Sequence, residues 1–217
     1  MYDSSLSDAY ATLALAYFNR KQLREGEEAA GKATELDPGN FNAHWVLGRI
    51  YQTMGRDLEA VEMFRKVLRA NADYYAAYSF IRNSLNRLGD TPQIAECLQG
   101  ELQMYERYIP QHPEEATAHV FYATALAQAG RREEALQMGS KARELNPDDP
   151  LMLYNLACLF AILGEKEKTI EALGQSVGAG FIYHEWLARD ADLDSVRGMP
   201  EFTELMDRIT RVDHNRS

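Results

Sequence analysis

Apolar, small and aromatic positions recur along this chain in a single frame. From Ala43 the sequence reads AHWVLGRIYQTMGRDLEAVEMFRKVL, and the same arrangement begins 34 residues earlier at Ala9 and 34 later at Ala77. It returns at Ala118 after 41 residues and at Met152 after a further 34. A period of this length marks a chain assembled from stacked structural repeats. Glycines and prolines punctuate the frame. Gly55 suits the left-handed turn that ends a helix. Pro38 and Pro147 stop the segments before them, because proline lacks a backbone N–H and clashes inside a helix. The pattern predicts ten repeat helices, then one or two short helices after Phe181.

The second unit carries Leu47, Gly48, Tyr51, Ala60 and Phe64, with His44 at its first aromatic position. The first offers Tyr10, Leu13, Ala14, Tyr17, Ala33 and Pro38. His119, Tyr122, Ala123, Leu126 and Ala135 stand in register in the fourth, and Leu153, Leu156, Ala157, Phe160 and Leu173 in the fifth. In these residues the chain resembles the tetratricopeptide (TPR) repeat family, W-x2-L-G-x2-Y…A-x3-F…P. The resemblance implies an all-α, right-handed α-solenoid of about five helix pairs spanning 7–183, with units 7–40, 41–74, 75–115, 116–149 and 150–183. Gly48 and Ala60 let paired backbones approach, and Tyr51 and Phe64 fill the space between one pair and the next. Arg82 takes the small-residue slot in the third unit, so the usual close contact is not expected there. The second helix of that unit starts at Asp90 or Thr91, with Pro92 in its first turn. Its seven additional residues are close to two helical turns and keep the apolar stripe on its face.

Residues 184–212 leave the frame. Trp186, Leu187, Asp190, Asp192, Leu193, Asp194, Arg197, Phe202 and Leu205 resemble the segment that closes TPR arrays in bacterial signalling proteins. A repeat stack needs such an atypical last unit to cover its apolar end. Residues 213–217 read as a tail. In the proteins it resembles, the array adjoins a cyclase, kinase or DNA-binding regulator that this chain lacks. An intramolecular scaffold or self-association region is therefore the second functional reading.

Composition narrows the partners. The 217 residues are 46% hydrophobic and 26% charged, ordinary for a folded protein. The net charge of −10 is the wrong sign for nucleic acid or an anionic membrane. No apolar run approaches a membrane span, and the N-terminus lacks the basic start of a signal peptide. Cys97 and Cys158 are too few for a disulfide framework, and a cytoplasmic location is expected.

Candidate chemistry is sparse. Asp190, Asp192, Asp194 and Glu201 have the spacing of calcium-loop positions one, three, five and twelve, but Ser195 replaces the required glycine. Helix capping and pairing with Arg197 explain the same aspartates. His44 and His119 share one repeat position and read as packing residues; His112, His184 and His214 have no ligand spacing. No nucleophile elbow, phosphate loop or metal-protease motif occurs. The expectation is a non-enzyme with no cofactor and no metal, existing as a monomer or weak homo-oligomer. It would bind a peptide or partner helix in a concave groove lined by the first helices. Counting repeat positions two, five, nine, twelve and thirteen gives Asn42, Trp45, Arg49 and Gln52, then Ser79, Asn83, Asn86 and Arg87. The fourth and fifth units add Thr124, Gln128, Tyr154 and Cys158, with Val120 and Ile162 expected to pack. Ala11 and Leu15 stand where chaperone-tail clamps carry lysine and asparagine. Trp45 beside Arg49 suits an acidic segment with an apolar anchor.

Overall fold

The computed structural model describes residues 4–181 and 183–214, with side chains described as far as 210. Of the tail set apart at 213–217, residues 215–217 lie outside the described residues, as does the side chain of His214. The fold is an all-α repeat fold, and no strand occurs among the described residues. It comprises two compact units that divide after Cys97.

In the first unit, α1 (Ser4–Asn19), α2 (Leu23–Leu36), α3 (Phe41–Met54), α4 (Asp57–Ala70) and α5 (Tyr75–Leu88) follow one another, and α6 (Thr91–Tyr108) begins. α1 packs on α2 and α3 on α4, and α2 and α4 pack on the first helix of the next pair. The small-residue slot explains the close approach of α3 and α4. A Cβ added to Gly48 would meet the Phe64 ring at 2.6–2.8 Å, and that ring is fully buried. Gly55 closes α3 at φ 77°, the left-handed conformation its position requires. Asn40 ties successive pairs together: its Oδ1 accepts from the Ala43 amide at 2.8 Å, while its Nδ2 donates to Ser7 and Asp8 of α1 at 2.8 Å.

Arg82 is buried at 2% exposure, and Ile94 and Cys97 at the start of α6 pack on the cluster that holds Ala77, Ile81 and Leu85 of α5. The division of the chain falls within this unit, inside α6. Asp90 caps α6 by accepting from the Gln93 amide at 3.2 Å. At 18 residues α6 is one turn longer than α4, at 14. The remaining residues form a 3-10 turn at Ile109–Gln111, where Pro110 has no N–H to continue the α-helix.

The second unit contains the rest of α6, then α7 (Ala116–Gln128), α8 (Arg132–Leu145), α9 (Pro150–Ile162) and α10 (Lys166–Gly178). The C-terminal segment adds α11 (His184–Arg189), a 3-10 turn at Ala191–Leu193 and α12 (Pro200–His214). It folds back on the last pair. Leu187, Leu193, Val196, Phe202, Leu205 and Ile209 are buried in one cluster with Tyr154, Leu173 and Phe181, and Trp186 packs at its margin. Arg197 organises the turn, donating to the carbonyls of Leu187 at 3.1 Å and Asp190 at 2.8 Å and to Asp194 Oδ1 at 2.8 Å. The segment is thus held together by hydrogen bonds to backbone carbonyls as well as by apolar side chains.

His44 and His119 are more deeply buried than half-buried packing residues, at 5% and 4% exposure. Each donates from Nε2 to a proline carbonyl six residues back, Pro38 at 2.8 Å and Pro113 at 3.0 Å. The imidazole therefore pins the start of a first helix to the loop before it. Each Nδ1 is buried without a hydrogen-bond partner. Burial pushes the His44 pKa down, with the Lys66 and Arg69 charges adding to the effect against the opposing Pro38 hydrogen bond.

Candidate functional site

Successive first helices of the first unit bring an arginine onto aromatic rings. The Arg49 guanidinium lies 5.0 Å from the Phe18 ring of α1, 4.9 Å from the Phe80 ring of α5 and 5.7 Å from the Trp45 ring of α3 itself. Trp45 meets Tyr74 and Phe80 edge-on at 5.0 and 5.2 Å, and tilts against Phe64 at 5.4 Å. Arg49 sits one turn beyond Trp45, which is why both side chains share one helix face. Each cation–π contact contributes about 0.5–1 kcal/mol when exposed and about 2 when desolvated. The guanidinium stays charged at any physiological pH and presents its N–H donors in its own plane.

The other sequence-predicted residues of this unit have diverse surroundings. Gln52 donates to the Phe80 carbonyl at 3.1 Å and to Ser84 Oγ at 3.0 Å, joining α3 to α5. Ser79 accepts from Arg82 at 3.3 Å. Arg87 is committed elsewhere: its Nε lies 3.0 and 3.1 Å from the two carboxylate oxygens of Asp57, and it also donates to Asn83. That ion pair is largely buried, at 18% and 9% side-chain exposure. Arg87 and Asn83 therefore brace α5 against the start of α4. Asn42 is exposed and Asn86 half-buried.

In the second unit the predicted lining is covered. Thr124, Tyr154 and Cys158 are 4%, 4% and 3% exposed, which corrects their assignment to an open groove. For Tyr154 and Cys158 the cause is the C-terminal segment, which lies on α9. Tyr154 stacks on Phe181 at 4.6 Å and donates its hydroxyl to Asp190. The Cys158 thiol donates to Asp190 Oδ2 at 3.8 Å, and Gln128 donates to Asp192 Oδ1 at 3.1 Å. Thr124 turns its hydroxyl to the Phe121 carbonyl at 2.8 Å. Burial, and after it the Asp190 charge, holds the Tyr154 and Cys158 pKa values well above their ordinary range.

The aspartates that share calcium-loop spacing have these partners instead. Asp190 also accepts from the Asp192 amide at 3.1 Å, and Asp194 pairs with Arg197. Ligand atoms of Cys158, Asp190 and Asp192 lie within 4.8 Å of one another, as the docking of the turn on α9 requires. No helix among the described residues is long and apolar enough to cross a membrane.

Sequence reasoning missed Phe18, Phe80 and Asp57. Phe18 holds repeat position twelve of the first unit, so the count applied to later units would have found it. Phe80 lies off the counted positions and reaches Arg49 through its length. Nothing in the spacing pairs Asp57 with Arg87.

Family models described as tetratricopeptide repeat match residues 7–40 and 41–74, and a further one matches 75–148. The BBSome complex member BBS4 homolog of Drosophila melanogaster is 23% identical over 150 residues, covering 67% of this chain and 31% of that protein. Superkiller protein 3 of Schizosaccharomyces pombe is 24% identical over 174 residues, 80% of this chain and 12% of that protein. The chain thus spans less than a third of the length of these curated relatives. Among solved structures, TTC0263, a thermophilic TPR protein of Thermus thermophilus, superposes with a TM-score of 0.62 at 15% identity, over 94% of this chain and 99% of that one. At that identity the likeness is one of fold. Repeat models covering 7–148, on helices that pack in successive pairs, establish that the chain belongs to the tetratricopeptide repeat family of protein-interaction modules.

Proposed function

We propose that this protein recruits a partner polypeptide on the first-helix face of its first unit, gripping a segment that carries a carboxylate beside an apolar side chain. The observation that carries this reading is the Arg49 guanidinium resting on Phe18, Trp45 and Phe80. Aromatic rings surround the cation at 4.9–5.7 Å, and a guanidinium pairs with a carboxylate through parallel hydrogen bonds in its own plane. Trp45 supplies the apolar anchor, a residue type that often dominates binding energy. Asn42 stands exposed at the start of the same helix. Arg87 drops out of the contact set because Asp57 holds it. The corresponding face of the second unit has no such role, since Tyr154 and Cys158 lie beneath the chain's own C-terminal turn.

Selection of a random peptide library on the protein tests the reading. Recovered sequences should pair Asp or Glu with a large apolar residue. A hydrogen bond to a charged group contributes roughly 1.5–3 kcal/mol, so Arg49→Ala should weaken the selected peptide by about ten- to a hundredfold. Glu62→Ala, on the exposed side of α4, should leave affinity unchanged. Normal binding by Arg49→Ala together with loss in Glu62→Ala would place the contact on the opposite face.

A further inference from the structure

In the second unit the turn after α11 carries two aspartates back to a cysteine of the last helix pair. Cys158 lies on α9 and is 3% exposed, while Asp190 and Asp192 are half-buried at the start and middle of the 3-10 turn. The thiol sulfur and one oxygen from each carboxylate lie within 4.8 Å of one another, with Cys158 Sγ at 3.8 Å from Asp190 Oδ2. In a tetrahedral zinc site, bonds of about 2.3 Å to sulfur and about 2.1 Å to oxygen hold the ligand atoms about 3.4–3.6 Å apart. The sulfur–oxygen pair already stands close to that spacing. The widest separation closes by rotation of a carboxylate about its soft terminal torsion.

A separate observation points to a ligand at this place. Asn155 is 7% exposed, and its Nδ2 is buried with no hydrogen-bond partner. It stands three residues before Cys158 and so projects from the same face of α9. Buried amides are ordinarily hydrogen-bonded, so this one calls for a group that the polypeptide does not supply. Turned over about its terminal torsion, the amide offers its carbonyl oxygen as a fourth ligand. The carboxylates are also held in place. Tyr154 donates to Asp190, and Gln128 donates to Asp192 Oδ1 at 3.1 Å, the kind of hydrogen bond that orients a coordinating group. Because both aspartates are half-buried, an ion reaches the buried thiol past them.

Donor type selects the ion. Calcium and magnesium take oxygen ligands, so a sulfur in the set argues against both. Glu201, the last member of the calcium-loop spacing, stands exposed on α12. Zinc accepts sulfur and carboxylate oxygen together. Two carboxylates held this close favour a dication between them. We propose that the second unit binds a zinc ion through Cys158, Asp190 and Asp192, with Asn155 completing the set. The thiol proton leaves to solvent as the zinc–sulfur bond forms. The ion ties the C-terminal turn to α9 and so strengthens the closure of the last pair. This site is independent of the peptide contact at Arg49.

Titration calorimetry on the full chain, stripped of metal by a chelator, should show one zinc ion bound with about one proton released, read from heats in buffers of different ionisation enthalpy. Zinc should also raise the melting temperature. Cobalt(II) in its place should give the near-ultraviolet charge-transfer band of a thiolate–cobalt bond. Cys158→Ser should abolish that band, and Asp192→Asn should weaken zinc by at least about tenfold, both with unchanged helical circular dichroism. Cys97→Ser, which alters the other thiol, should keep the band. Should Cys158→Ser fail to fold, protection of Cys158 from alkylation by zinc in the wild-type chain gives the same answer. A wild-type chain that takes up no zinc overturns the proposal. So does zinc bound without the cobalt band, which places the ion on carboxylates alone, and so does a band that survives Cys158→Ser but is lost in Cys97→Ser.

Discussion

Replacing Gly48 with alanine separates what a small residue does for the helix pair from what it does for the helix. The added methyl would sit 2.6–2.8 Å from three atoms of the Phe64 ring, well inside contact distance. That ring has no free side to move toward: it is fully buried, with Trp45 at 5.4 Å and Phe80 at 5.3 Å. Overpacking of this kind costs about 1–3 kcal/mol. Alanine is the better helix former by about 1 kcal/mol, which offsets part of the cost. Gly31, inside α2 of the same unit, supplies the reference, because a Cβ there meets nothing within 4 Å. Gly31→Ala should therefore gain about 1 kcal/mol, and the two variants should differ by about 1–3 kcal/mol, the contact term alone. Urea unfolding followed by circular dichroism measures the difference, with equal slopes required for the comparison. A displaced Phe64 would also disturb Trp45 and Phe80 beneath Arg49, so a selected peptide should bind Gly48→Ala more weakly than Gly31→Ala. Equal stabilisation by both substitutions would show that the ring yields freely and that close approach of α3 and α4 does not explain the glycine.

Arg87→Ala leaves Asp57 largely buried without its cation, and breaking a buried pair costs roughly 3–5 kcal/mol, with the lower end expected at 18% exposure of the arginine. Unchanged urea stability would show that the pair is energetically idle. Because burial lowers the His44 pKa in the folded chain, neutral His44 contributes stability that is full above its unfolded value of about 6.5 and is lost as pH falls below it. The melting temperature should thus drop more steeply between about pH 7.5 and pH 5 than in His44→Trp, and parallel slopes would refute this. Deleting 184–217 uncovers Tyr154, Leu173 and Phe181, which the C-terminal segment now buries, so the shortened chain should aggregate; one that stayed soluble, monomeric and equally stable would show that the segment is not a cap.

The repeat was legible in the sequence because each unit solves the same packing problem locally. A small residue at the position of Gly48 recurs as Ala14, Ala123 and Ala157, where paired helices approach closely, and Gly55 and Pro38 end helices by backbone sterics alone. Site chemistry was less legible, because it depends on which side chains meet across units. The count of repeat positions named Trp45 and Arg49 but could not show that Phe18 and Phe80 would flank the guanidinium, since those rings arrive from α1 and α5. Equally, nothing local revealed that Asp57 would take Arg87, or that residues 184–193 would fold back over Tyr154 and Cys158. Helix pairing follows from periodicity within some 34 residues, whereas the exposure and partners of a polar side chain are set by segments that the chain brings back from far away.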